Sequence, residues 1–306
     1  MPAPAVALTK DGGFDELFKE AAKATAVGSK SFYFATRFFP RELARRAFAV
    51  YWFCRTTDDL VDEAPTHEQG ASGLNAWESE LRFGLSGGHV SNPVLKLFLH
   101  VQELCQIPAE YPLDLIAGCR MDLDQNRYQS YADLRVFCYR VASCVGLMMC
   151  HLIGFKDARL VSQGKQHAID LGLAMQITNI LRDVGTDLEM GRIYFPREDM
   201  ERFGYSEEDL RARRITPAFR SLMKFEAERA RACYASALPG IAMLRPEGRF
   251  AVEIAAKVYS GILREIEAAD YDVFSRRAVV SPREKYWITA RAIGASLKER
   301  WLGVAR

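Results

Sequence analysis

Asn179, Asp183 and Asp187 stand four residues apart in NILRDVGTD, directly after an apolar stretch. A helix turns about 100° per residue, so a step of four advances about 40° and climbs about 6 Å, and the three side chains share one face. Asp58 and Asp62 repeat the interval in CRTTDDLVDEA, with Arg55 about one turn earlier on nearly the same side. Like charges at this spacing weaken a helix unless something neutralises them. Hard oxygen ligands on two facing helices suit Mg²⁺, which keeps several waters and is usually shared with substrate phosphates. The chemistry predicted is therefore two carboxylate walls that hold metal ions, and ions that hold a diphosphate. Either cluster alone also reads as an ordinary acidic helix end; two in matching context favour the metal. A di-iron bundle would need Glu-x-x-His pairs, and no histidine here has a glutamate three residues before it.

Basic groups lie close by. Arg182 adjoins Asp183, Arg192 follows in GRIYFP, and Arg276 and Arg277 occur in DVFSRR. Guanidiniums beside acidic rows match phosphate oxygens, although each alone also reads as a surface arginine.

The elements that must position these groups are helices. Apolar residues recur at three- and four-residue intervals almost throughout, and alternating stretches are scarce. The periodicity predicts helices over about 14–27, 41–64, 74–84, 92–105, 110–127, 130–153, 157–187, 216–237, 248–272 and 282–303. Breaks fall at APTHEQGASG, GLSGGHVSNP, IPAEYP, GRIYFP and RPEG. None is long or polar enough for a domain linker, and no fixed-period repeat is visible. The expectation is an all-α bundle: a flexible N-terminus over 1–13 and a single domain over 14–306.

The 306 residues are 49% hydrophobic, enough to fill a sizeable core. A formal charge of +2 is too balanced to argue for nucleic acid. Seven cysteines without a CxxC read as free thiols in a reducing compartment, and MPAPAVALTKDGG has no apolar core of signal-peptide length, so the expected location is the cytoplasm. The run VASCVGLMMCHLIGF is shorter than a membrane span and reads as a buried helix.

With these pieces placed, the sequence resembles the squalene and phytoene synthase family, the head-to-head branch of the isoprenoid synthases. The resemblance covers about Ser29 to Lys285 and rests on GSKSFYFA, YWFCRTTDDLVDE, CYRVASCVG, AMQITNILRDVGTDLEMGRIYFP and YSGILREIEAADYDVFSRRA. It implies an isoprenoid-synthase helical bundle around a deep apolar cavity, with two Asp-rich helices at the mouth. It also implies that Asp58, Asp62, Asp183 and Asp187 bind Mg²⁺ (or Mn²⁺), supported by Asn179 and Gln176. Diphosphate contacts are implied for Ser31, Tyr51, Arg55, Arg182 and Tyr259, and a substrate-facing ring for Phe32. The implied reaction joins two prenyl diphosphates through an allylic cation and a cyclopropylcarbinyl diphosphate. Late segments look most like the bacterial phytoene-forming subgroup, which uses two geranylgeranyl diphosphates. The alternatives are squalene or dehydrosqualene formation from two farnesyl diphosphates, with NADPH only for squalene, and a non-catalytic relative that keeps the bundle.

One residue departs from the pattern. Phe137 stands where the family usually has a tyrosine, so the substrate-facing ring is kept and its hydroxyl lost. Tyr139 lies about 200° round the helix and cannot take its place. Long hydrocarbon substrates also suggest a peripheral contact with the inner face of a membrane. WITARAIGASLKERWLGVAR, with Trp287, Trp301 and several basic residues, is the stretch suited to it, and packing onto the bundle is its other expected fate.

Overall fold

Thr66, Asn92, Ser130 and Thr216 each precede an apolar-periodic run, and in the computed structural model each side chain accepts a hydrogen bond from the first turn of the helix it opens. These caps satisfy amide donors that have no partner within the helix. The structure describes residues 13–304, with side chains to residue 294. The expected flexible N-terminus over 1–13 lies outside the described residues, apart from Gly13, and Trp301 lies outside the described side chains. Among the described residues, fourteen α-helices follow in order: α1 (Asp15–Gly28), α2 (Lys30–Thr36), α3 (Arg41–Asp62), α4 (His67–Leu85), α5 (Pro93–Leu104), α6 (Glu110–Asp124), α7 (Tyr131–Cys138), α8 (Cys144–Ile153), α9 (Val161–Glu189), α10 (Arg197–Arg202), α11 (Glu207–Arg211), α12 (Pro217–Ile241), α13 (Pro246–Ala268) and α14 (Pro282–Val304). Among the described residues there is no strand, only two isolated bridges.

The helical periodicity holds, with three kinds of difference. Thr66 caps α4, so that helix starts at His67, within a segment expected to be a break. The short helices α2, α10 and α11 have too few turns for a periodic signal and were not anticipated. The expected helix over 130–153 is α7 and α8 joined by a π-helical turn, Tyr139–Ser143. The whole run Tyr131–Ile153 is long and apolar enough to cross a membrane, yet half of its most apolar window is buried in the bundle.

The 29-residue α9 spans about 43 Å at 1.5 Å per residue and packs on α8, α12, α13 and the π turn. A close backbone approach lies at Gly172, where an added Cβ would sit 2.5 Å from Ser143 Cα. Ser143 Oγ donates to the Ile169 carbonyl at 2.8 Å across the same crossing. Two large clusters of buried side chains result. One joins α9, α12 and α13; the other joins α1, α3, α5, α6 and α8. Ile169 touches both. Cys138, Cys144 and Cys150 are free and buried, as small apolar groups would be.

Candidate active site

Asp58 and Asp62 occupy the last turns of α3, and Asp183 and Asp187 the last turns of α9. The two rows meet. After burial, the influences that push Asp187 up to about 8 are Asp183 on its own helix, then Asp122 and Asp62. Asp58 is pushed up to about 7 by burial, by Asp62 and by Asp122. Asp122, near the end of α6, is thus a fifth carboxylate in the cluster, and burial with Asp62 nearby pushes it to about 6. Sequence reasoning missed it because MDLDQ has no four-residue interval. The available signal was a further acidic group ending an apolar helix.

Arginines hold part of this charge. Arg192 Nη1 donates to Asp62 Oδ1 at 2.6 Å and also lies in the field of Asp122. Arg192 belongs to a loop tied to the α6–α7 connection: Ile193 N donates to Asn126 O at 3.1 Å, and Tyr194 Oη to Asp122 Oδ1 at 2.7 Å. On the other row, Arg182 and Arg277 each donate two hydrogen bonds to Asp183. Burial works to raise Asp183, but these guanidiniums outweigh it and hold the carboxyl below its usual range. Arg277 reaches Asp183 from the loop after α13, where Asp272 accepts from Phe274 N and Ser275 N and fixes the turn. Arg55 pairs at 2.5 Å with Asp59, and stands 3.8 Å from Asp58. Its principal carboxylate partner is therefore one residue later than the expected row.

The remaining expected residues divide. Phe32 stacks on Tyr51 at 5.3 Å, and burial pushes the Tyr51 hydroxyl up to about 12, with Arg55 and Tyr259 in its field. Arg277 feels Tyr259 and Asp187 together, so Tyr259 stands on the same side of the site. Ser31 is half-buried on α2. Asn179 donates through Nδ2 to Gln176 Oε1 at 3.3 Å, while its buried Oδ1 has no hydrogen-bond partner. Phe137 lies apart: it is 1% exposed and stacks on Tyr194 at 5.1 Å, beneath the carboxylates instead of on an open face.

Below the aspartates an internal space begins. Cys54, one turn before Asp58, keeps accessible surface although burial pushes its thiol up. That surface therefore faces inward. On α9, Ala168, Leu171, Met175, Gln176, Asn179 and Asp183 remain partly accessible along one stripe, and Val141, Val145 and Met149 do so on the adjoining run. Among the clefts at this end, one of about 130 Å³ lies between the end of α9 and Val273–Arg277, and one of about 10 Å³ beside Asp187 and Arg192. Neither is a deep apolar cavity; the accessible stripe marks where one would run.

Among the described residues no three side chains form a ready-made metal cluster. The donor set nevertheless fits a hard divalent cation. It is all oxygen, it includes the unpartnered Asn179 Oδ1, and its carboxylates at 58 and 187 are raised first by burial and then by neighbouring carboxylates, which marks a shortage of positive charge.

Comparison with known proteins agrees with this geometry. The profile described as Squalene/phytoene synthase matches residues 25–284. A 15-cis-phytoene synthase from Synechocystis is 38% identical over 96% of this chain and 91% of its own length. A phytoene synthase from Arthrospira platensis is 39% identical over 85% of this chain and 87% of its own length. Among solved structures, a dehydrosqualene synthase in complex with ligand superposes with a TM-score of 0.86 at 30% identity, covering 94% of this chain and 98% of that one. A squalene synthase from Alicyclobacillus acidocaldarius follows at 0.76 and 29%, covering 85% of this chain and 96% of that one.

Proposed function

The chain belongs to the squalene/phytoene synthase family, and from that premise we propose that it condenses two geranylgeranyl diphosphates head to head into phytoene with release of diphosphate. The observation that carries this reading is the convergence of both aspartate rows and Asp122 above an accessible interior stripe. The cyanobacterial relatives, whose names specify phytoene synthase, support geranylgeranyl over farnesyl chains.

Asp58, Asp62, Asn179, Asp183 and Asp187 would hold Mg²⁺, with Mn²⁺ as a substitute. Bound there, the ion supplies Lewis-acid stabilisation of the departing diphosphate. The chain's own residues do the rest. Arg55, Arg182 and Arg277 are held beside the carboxylates by ion pairs, and exchange them for phosphate oxygens when a diphosphate enters. Ser31, Tyr51, Gln176 and Tyr259 add polar contacts that orient it. The stripe from Asn179 down to Ala168 takes the prenyl chain and excludes water that would quench an allylic cation. The stacked faces of Phe32 and Tyr51 stabilise that positive charge. Phe137 has no hydroxyl to move a proton, so the released diphosphate is the base that accepts the proton lost on forming the cyclopropyl ring.

Incubation with Mg²⁺ and either geranylgeranyl or farnesyl diphosphate, with and without NADPH, tests the reading. A 40-carbon product independent of NADPH, abolished by a chelator and restored by Mg²⁺, is expected. A 30-carbon product alone would overturn the substrate assignment.

A further inference from the structure

Away from the aspartate rows, three charged side chains meet inside the bundle. Arg229 of α12 donates through Nη1 to both oxygens of Glu226 on its own helix, at 2.7 and 2.8 Å, and to Asp199 Oδ2 of α10 at 2.8 Å. Glu226 and Asp199 are 2% and 4% exposed. The guanidinium lies 3.9 Å over the ring of Tyr131, which opens α7, and 4.7 Å over that of Phe225. One cation thus serves two buried carboxylates. Apolar side chains of the same volume often stabilise a core as well as a buried ion group does, so stability alone is a poor account of this one. What the group adds is direction: it fixes where α10 sits on α12.

Asp199 closes a segment that the site uses. Arg192, earlier in that segment, pairs with Asp62 at 2.6 Å. One side of the segment is tied to the α6–α7 connection: Arg127 Nη1 donates to Gly191 O at 2.8 Å, Ile193 N to Asn126 O at 3.1 Å and Arg197 N to Tyr128 O at 2.9 Å. Among the described residues, its hydrogen-bonded link to α12 is Arg229 to Asp199. α12 in turn packs along α9, with the Thr178 and Tyr234 hydroxyls 3.1 Å apart in the interior, and α9 bears Asp183 and Asp187. One aspartate row and the Arg192 segment are therefore held from a common base. Burial pushes the Glu226 carboxyl up to about 7, with Arg229 opposing and Asp199 adding to the rise; the Cys138 thiol of α7 is a further titratable neighbour. Protonated, Glu226 can donate to Asp199 while still accepting from Arg229, as a glutamine there would.

We propose that Glu226 is a positioning residue for the reaction: by holding Arg229 on Asp199 it sets the placement of α10, and so of Arg192 against Asp62. The effect on turnover rests on the reading of the rows as the active site; the effect on the segment does not, and two measurements separate them. In hydrogen–deuterium exchange of the full chain without substrate, Glu226→Ala should speed exchange of the Ile193 and Arg197 amides at least about tenfold while amides inside α9 stay protected, and Glu226→Gln should keep the native rates. In turnover with Mg²⁺ and prenyl diphosphate, Glu226→Ala should lower kcat at least about tenfold, Glu226→Gln should recover most of the loss, and Glu226→Ala should add nothing to the loss caused by Arg192→Gln, because both act through one contact. Should Glu226→Ala misfold, Asp199→Asn, which keeps the size of the side chain, should still speed Ile193 exchange at least about threefold. Unchanged exchange at Ile193, loosening of α9 to the same degree, or losses that add in full in the double variant would overturn the proposal. A native chain without turnover would refute the reading of the site instead, and the exchange rates would then decide the role of Glu226.

Discussion

Burial and neighbouring carboxylates push Asp58 to about 7 and Asp187 to about 8. Both lie above the ordinary carboxylate value, so the folded chain keeps protons that an unfolded chain has lost from about pH 4 upward. Without metal, stability should therefore fall as pH rises from about 4 through 8 and level off above that. A divalent ion competes with the same protons, so Mg²⁺ affinity should climb across this upper range. Calorimetry at pH 7 in two buffers of different ionisation enthalpy should reveal net proton release on Mg²⁺ binding; a value of zero would contradict the assignment. Asp187→Asn removes one of several repelling charges. The metal-free variant should melt no lower than the parent, while turnover falls at least about 10²-fold. Both rows were legible in the sequence because four-residue spacing is a property of one helix. Asp122 and the Arg277–Asp183 pair were not, since they join groups 64 and 94 residues from their partners in or beside the rows.

The rows work only if the helices beneath them stay in register. At Gly172 an added methyl would meet Ser143 Cα at 2.5 Å, which is backbone and cannot swing aside. Gly172→Ala should push α9 from the π turn, costing about 1–3 kcal/mol by urea denaturation, with loss of activity because Asp183 and Asp187 ride on the same helix. Tyr194→Phe deletes the hydrogen bond to Asp122 at 2.7 Å. It should cost about 1–2 kcal/mol and loosen the loop that presents Arg192. The long helices were legible because they repeat an apolar face over many turns. The division at Tyr139–Ser143 was not: one inserted residue hardly disturbs the periodicity, and the groups it packs against, Gly172 and Ile169 of α9, are distant in sequence. The seven-residue α2 was hidden for a related reason, as its residues serve the site and α14 on opposite faces and present no single apolar side.

For the molecule as a whole, two core clusters that share Ile169 leave an accessible stripe between the carboxylates and the interior, and this division of the apolar mass turns a helical bundle into a container. Composition predicted the amount of core but not its division, which depends on how far apart α3, α8 and α9 stand. The central claim is that rows from α3 and α9 act as one metal and diphosphate site. Mn²⁺ electron paramagnetic resonance, recorded with a thiodiphosphate analogue of geranylgeranyl diphosphate, tests it most directly. The prediction is spin-coupled Mn²⁺ ions in the native chain, with coupling lost in both Asp58→Asn and Asp187→Asn. Isolated Mn²⁺ ions, or coupling that survives either substitution, would contradict it.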